Sequence, residues 1–357
     1  MRLRLRDAVA LATATYSLSV SAKLLYPGFY TDILTLYYRN ILPTKNGIPY
    51  RDYSLQYPAI PAIMMWIGGH APSAQYFMAV TAFMTYIFVI GTTYFLYRTC
   101  TDFGLDRGRL IPFFIMAPSF LALSFFNWDI IAVCFVSGAI YYSFKKSHRV
   151  SGLCIGLGFA TKSYPLLLLP AFLKEMQTWP DRLEMLLSTV LGCLIPNLPF
   201  ILIDFSSLIR AYNTTYSTVY VENSIWLVVR YFNPADQDWL ILAIVWSTIF
   251  LVILHTTFSH KPLVLKAWII LAVTILVYPS YPPQYDLWLL PMFVLAPTFG
   301  LIPFLAFDFL NTSIAFSWFQ VDNPFQPWGV IWDISLIRVG ILVGLLIWVA
   351  RRKTPAN

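Results

Sequence analysis

The sequence predicts an all-α, polytopic membrane protein with about 10–12 transmembrane helices. Three observations predict it. Of the 357 residues, 58% are hydrophobic and 11% charged, where soluble domains have about 45–50% and about 25%. The mean hydropathy is +0.66. Apolar stretches of spanning length recur along the chain, and the short loops between them concentrate Lys and Arg. A soluble reading would need a core larger than a chain of this length can enclose. The 12 Trp, 22 Tyr and 28 Phe suit many membrane–water boundaries. The 24 prolines fit broken helices whose neighbours re-satisfy the backbone.

The first span covers residues 7–26. Arg2, Arg4 and Arg6 orient its start to the cytoplasm. The stretch MRLRLRDAVALATATYSLSV is expected to be a retained helix, because no small-residue cleavage site ends it and further spans follow. The next long span, 74–97, runs into Arg98, Arg107 and Arg109. Residues 27–72 are therefore the first external loop, with the Pro- and Gly-containing 58–72 lying along the outer surface or dipping into it. Spans at 110–126 and 129–144 come next, the second ending at Lys145, Lys146 and Arg149. Residues 150–173 read as two short helices broken at TKSYP, with Lys162 at the outer tip. A span at 185–204 leads to a second external loop, 205–237. Spans at 238–257, 264–279, 286–297, 300–318 and 331–350 complete the chain, closed by Arg351, Arg352 and Lys353. Both termini are expected to be cytoplasmic, and residues 1–357 to form one integral-membrane domain without internal repeats.

The net charge of +7 lies in loops, so it reads as a topology signal and not as a nucleic-acid footprint. Cys100, Cys134, Cys154 and Cys193 lie in or beside apolar spans without a CxxC pair, so neither a disulfide nor a metal site is expected. No phosphate-binding glycine loop and no H-E-x-x-H occurs. The four histidines are scattered over both faces, which disfavours a His-centred triad.

What the sequence does gather, on the outer face only, is carboxylates, bases and aromatics. The first loop brings Asp32, Arg39, Arg51 and Asp52. Asn127, Trp128 and Asp129 start a span, and Lys162 marks the broken hairpin. The second loop adds Asn223, Ser224 and Arg230. The turn YPSYPPQYD adds Gln284, Tyr285 and Asp286. Ionisable groups are costly beside hydrocarbon, so a set converging on one face suggests one site. Such a set suits a sugar carried on a lipid phosphate. The leaving phosphate needs charge neutralisation by Arg or Lys, not a proton. One carboxylate then suffices as base for the acceptor hydroxyl, where hydrolytic glycosidases use a pair. Each residue has a plainer reading too. Asp32 and Asp129 can cap helices, Asp52 can pair with Arg51, and Lys162 can snorkel. Asn223 and Arg230 can order their loop, and Tyr285 can belong to a turn. Asp308, inside a span, is expected to pair with a polar neighbour.

The stretches YTDI (30–33), GIPYRDYSLQYPAI (47–60), NWDIIAV (127–133), GLGFATKSYPLLLLP (156–170), ENSIWLVVR (222–230) and PQYDLWLLP (283–291) occur in family order. This pattern resembles the GT-C integral-membrane glycosyltransferases, above all the polyprenyl-phosphate-mannose-dependent α-mannosyltransferases. It is also similar to the catalytic subunit of GPI mannosyltransferase I. The resemblance implies a catalytic aspartate at Asp32 and a lipid-phosphate sugar donor entering from the bilayer. The candidate donor-binding residues are Arg51, Asp52, Asp129, Lys162, Asn223, Arg230 and Tyr285. GPI enzymes carry an acid two residues after the catalytic one. Leu34 stands there here, which favours the prokaryotic-type polyprenol enzymes and argues against a metal.

The expectation is therefore an inverting hexosyl transfer, most closely mannosyl, from a polyprenyl or dolichyl phosphate to a glycolipid or glycan. It would occur at the extracytoplasmic face of a prokaryotic cell membrane, or at the endoplasmic reticulum if the source is eukaryotic. No cofactor and no nucleic acid are expected, and protein partners are left open. The rivals are a transporter or lipid flippase, whose polar residues would line the midplane, and a non-catalytic subunit of a transferase complex.

Overall fold

The computed structural model describes residues 3–26, 30–44, 46–217, 219–233 and 238–352, except the side chains of 214–217. Arg2 and Lys353 of the terminal basic clusters lie outside the described residues. The chain is all-α. α1 (Leu5–Leu25) leads to a short α2 (Asp32–Leu36), continued by a π turn, and α3 (Ala59–Gly69) precedes the long α4 (Ala74–Asp102). Then come α5 (Pro118–Leu123), α6 (Asp129–Phe144), α7 (His148–Phe159) and α8 (Leu169–Lys174). The second half holds α9 (Trp179–Ser217), α10 (Trp226–Phe232), α11 (Asp238–Thr257), α12 (Leu263–Val277), α13 (Leu290–Leu295), α14 (Leu301–Ser317) and α15 (Val330–Arg351).

Among the described residues, α1, α4, α9, α11 and α15 are long and apolar enough to cross a membrane, and shorter apolar helices fill the space between them. Two expected spans are not continuous helices. Residues 110–126 split into a π turn (Ile111–Ile115) and α5, with Pro112 and Pro118 at the starts of the two pieces. Residues 286–297 split into a 3₁₀ turn (Pro283–Trp288) and α13, which stops before Pro297. The carbonyls freed at the end of α13 are not left bare. Arg109 donates to the carbonyls of Phe293 at 2.6 Å, Ala296 at 2.9 Å, Val294 at 3.0 Å and Phe299 at 3.1 Å.

The stretch expected as a second loop is largely helical. Asp204 leaves the helical region within α9 and caps the next turn, accepting from the Ser207 N–H at 3.0 Å. The helix thus resumes beyond the kink. The broken hairpin is present as read: α7, a 3₁₀ turn at Tyr164–Leu168, then α8.

Small residues let α7 press against α9. A Cβ on Gly156 would lie 2.1 Å from the Thr189 carbonyl, and one on Gly152 2.4 Å from that of Met185. Gly192 answers from α9, where a Cβ would meet the Leu153 carbonyl at 2.5 Å. This close approach fixes the position at which α7 ends and delivers Lys162.

Basic clusters collect at one end of the bundle. There Asp102 at the end of α4 joins Lys145 just beyond α6 at 2.9 Å and Arg98 at 3.1 Å, and Lys266 joins Glu175 at 2.7 Å. At the opposite end, the segments after α1, α5, α7, α9, α12 and α14 and the start of α6 converge.

Candidate active site

These segments enclose a cavity of about 670 Å³. Its walls come from distant parts of the chain: Tyr30, Asp32 and Tyr57 from the first loop, Phe126 before α6, and Lys162 and Ser163 after α7. Tyr220 and Glu222 come from the second loop, Ser280 and Tyr285 from the proline-rich turn, and Trp318 and Phe319 from the end of α14.

Asp32 is the first residue of α2. Thr31 caps that turn by accepting from the Leu34 N–H at 3.1 Å. The Asp32 N–H donates to the Phe126 carbonyl at 3.1 Å, tying the first loop to the entrance of α6. The Tyr57 hydroxyl donates to Asp32 Oδ2 at 2.9 Å. Tyr57 reaches it because the loop folds back: Asn40 donates to the Ser54 carbonyl at 2.8 Å, the Tyr50 hydroxyl to the Tyr57 carbonyl at 2.6 Å, and the Ile60 N–H to Ala160 at 2.9 Å. Burial pushes the Asp32 carboxyl above its ordinary value, against the lowering pull of the Tyr57 hydroxyl and the Lys162 charge. Burial also holds the Tyr57 hydroxyl well above its usual range, so it stays a donor. A raised carboxyl in a cavity is a more effective proton acceptor than a solvated one.

Lys162 supplies the cavity's cation. Its Nζ lies 2.9 Å from Asp129 Oδ1, where Asp129 is only 1% exposed and Lys162 20%. Asp129 starts α6; its N–H donates to Asn127 Oδ1 at 2.8 Å, and Trp288 Nε1 donates to its other oxygen at 3.3 Å. The ammonium stands 5.3 Å from the Tyr57 ring and 5.5 Å from the Tyr285 ring. It thus sits between two walls, the Asp32–Tyr57 wall of the first loop and the Tyr285 wall of the turn. Asp129 and the rings use part of its donor capacity, leaving N–H directions for an anion in the cavity.

An apolar groove of about 160 Å³ adjoins the cavity through Lys162, Ser163, Tyr278 and Tyr285. Phe159, Leu166, Leu167, Trp246, Ile249, Ile275 and Trp288 line the rest of it. Tyr285 stacks on Trp288 at 4.0 Å, and Trp288 on Tyr164 at 4.2 Å, building a flat aromatic shelf beside the ammonium.

The second carboxylate of the cavity, Glu222, has no site role in the sequence reading beyond its place in ENSIWLVVR. Its backbone pairs with the turn: the Glu222 N–H donates to Pro279 at 3.1 Å and its carbonyl accepts from Tyr281 at 2.7 Å. Ser280 Oγ donates to Glu222 Oε2 at 3.2 Å. Burial, reinforced by the Asp32 charge, pushes its carboxyl up to about 7.

Behind Glu222 stands a second residue the sequence reading missed. Arg338 of α15 is fully buried and donates to the carbonyls of Asn223 at 2.7 Å and Tyr281 at 2.9 Å, and to the Asn311 side chain. Asn311 in turn donates to the Pro283 carbonyl at 2.8 Å. A charged residue within a span was the available signal. Asp308 pairs, as expected, with a polar neighbour, accepting from the N–H and hydroxyl of Ser119.

Of the residues named from sequence, Asp32, Lys162, Gln284 and Tyr285 line the cavity, and Asp129 lies directly behind Lys162. The others do not line it. Arg51 and Asp52 form an ion pair at 2.9 Å with side chains 53% and 33% exposed, and Asp52 spends an oxygen on the Ile48 N–H at 2.7 Å. They stabilise a turn. Arg230 pairs with Asp238 at the start of α11. Asn223 is buried in a left-handed conformation, its side chain accepting from Ser335 at 3.3 Å. It braces Glu222 from behind.

Fold and cavity together define a multi-pass membrane protein with a polar, aromatic site at an end of its helical bundle. The family model described as glycosyltransferase family 87 matches residues 55–279, more than half of the chain. The chain belongs to that family and is a membrane glycosyltransferase. The match takes in Tyr57, Asp129, Lys162 and Glu222, while Asp32 and Tyr285 lie on either side of it. A comparison with curated proteins found no match.

Proposed function

We propose that the protein is a GT-C enzyme that moves a hexose, most closely mannose, from a polyprenyl phosphate to a glycolipid or glycan acceptor. The observation that carries this reading is the juxtaposition of Asp32 and Lys162 in one cavity, with an apolar groove opening beside the ammonium. The lipid chain of the donor fits the groove, its phosphate meets Lys162, and its sugar extends into the cavity. Asp32 takes the proton of the acceptor hydroxyl while that oxygen attacks the anomeric carbon. The bond from that carbon to the phosphate oxygen breaks, and its electron pair leaves as phosphate charge opposite Lys162. A single displacement inverts the anomeric carbon.

In this reading the cavity opens on the extracytoplasmic face of a prokaryotic cell membrane, and both termini are cytoplasmic. The support is electrostatic: the basic loops occupy the opposite end of the bundle. No metal or other cofactor takes part.

The test is incubation of purified protein with radiolabelled polyprenyl-phosphate-mannose and a membrane lipid extract. A new labelled glycolipid, absent with Asp32→Asn, is the expected result. Label that stays on the donor with wild-type protein would sink the proposal in favour of another sugar donor or a non-catalytic subunit.

A further inference from the structure

The transfer chemistry of Asp32 and Lys162 leaves Glu222 without a task. It is held rigidly: two backbone hydrogen bonds join it to the 279–281 turn, and Arg338 pins the next residue from beneath. A carboxylate so placed cannot serve the donor phosphate, which it repels. The cavity has two walls, with Lys162 between them. Asp32 and Tyr57 form one; Tyr285, Ser280 and Glu222 belong to the other. The apolar groove adjoins this second wall, because Tyr278 and Tyr285 line both spaces. A lipid lying in the groove with its phosphate at Lys162 therefore presents its sugar along the Glu222 wall.

We propose that Glu222 is a specificity-determining residue that accepts hydrogen bonds from hydroxyls of the donor's hexose, opposite the acceptor side held by Asp32. This rests on the polyprenyl-phosphate donor proposed above. Sugar hydroxyls are donors, and a carboxylate in a half-buried site binds them more strongly than a neutral acceptor. A site that hydrogen-bonds a hydroxyl rejects an analogue lacking it, because the buried partner is left unpaired.

The proposal has a pH signature. The donor is a phosphodiester and does not titrate near neutrality, whereas the Glu222 carboxyl sits at about 7. Among the described residues, Asp32, Arg338, Tyr220 and Tyr285 interact with it electrostatically, and Lys162 and Tyr278 line the same cavity. Tyr220 and Tyr285 are held above their ordinary value by burial and stay neutral. The ionised carboxylate is the better acceptor, so donor affinity should fall as pH drops through about 7.

The experiment measures equilibrium binding of farnesyl-phosphate-mannose and its 2-, 3-, 4- and 6-deoxy forms to the purified full chain, without acceptor, from pH 6 to 8.5. Glu222→Gln should weaken binding of the parent donor by about 10- to 100-fold, the scale of a lost hydrogen bond to a charged group. It should also flatten the pH dependence. One or two deoxy donors should bind wild type correspondingly weakly, yet bind Glu222→Gln no worse than the parent does, as residues in direct contact require. The deoxy series on wild-type protein retains its meaning even if the variant does not fold. Equal affinity of wild type for all deoxy donors, or a Glu222→Gln variant with unchanged affinity and pH profile, overturns the assignment. Absence of any binding to wild type overturns the donor proposal itself, which separates the two failures.

Discussion

Asp32 and Asp52 show how two carboxylates in one loop acquire different surroundings. Asp32 faces the cavity with Tyr57 on one oxygen, while Asp52 is exposed, paired with Arg51 and bound to the Ile48 N–H. Asp32→Asn keeps the shape and removes the basic oxygen, so turnover should fall by about 10²–10⁴-fold in the labelled-donor assay. Asp52→Asn should leave turnover near wild type; the opposite result would move the base to Asp52. Because the Asp32 carboxyl is raised, the turnover at saturating donor should decline as pH falls through a value above the ordinary aspartate range. A second pair tests the cation. Lys162→Ala strands the buried Asp129 charge, which should destabilise the protein by about 3–5 kcal/mol as well as slow transfer. Lys162→Met combined with Asp129→Asn removes both charges. It should recover thermal stability in detergent yet remain at least about 10²-fold slow. Recovery of both stability and rate would reduce Lys162 to a structural ion-pair partner.

At the scale of elements, the position of Lys162 depends on how far α7 can slide against α9. Gly156 lies where any side chain meets the Thr189 carbonyl. Gly156→Ala should lower stability by about 1–3 kcal/mol, read as a reduced Tm, and reduce turnover with it. Gly344 in α15 has no neighbour within 4 Å of an added Cβ, so Gly344→Ala is the matched control and should be neutral or slightly stabilising. If Gly156→Ala is equally neutral, the helix contact is looser than its geometry. The broken elements make the same point. The π turn before α5 and the 3₁₀ turn before α13 occur where prolines interrupt helix, and Arg109 answers the exposed carbonyls at the end of α13.

At the scale of the molecule, basic clusters mark one end of the bundle and the polar cavity the other. The proposed orientation puts the cavity outside. An impermeant maleimide added to intact cells should label Arg51→Cys, whose parent residue is exposed, and should reach Arg149→Cys only after permeabilisation. The reverse pattern would put Asp32 in the cytoplasm and end the extracytoplasmic reading.

Hydropathy and loop charge sufficed for the all-α membrane fold, because lipid demands long apolar helices wherever the chain crosses. They also sufficed to bring Asp32, Lys162 and Tyr285 to one face, since each lies at an end of an element whose direction comes from counting spans. What they could not supply was which side chains at that face point into a common space. Arg51 and Arg230 sit on that face too, yet each is taken by an acid close in sequence, Asp52 and Asp238. Glu222 enters the cavity because its backbone pairs with a turn more than fifty residues away and a buried arginine from α15 holds the next residue. Local periodicity reports whether a segment is helical and apolar. Convergence of loops depends on close helix contacts such as that of Gly156 with Thr189, on proline breaks, and on long-range hydrogen bonds between backbones. Only the folded chain brings these together.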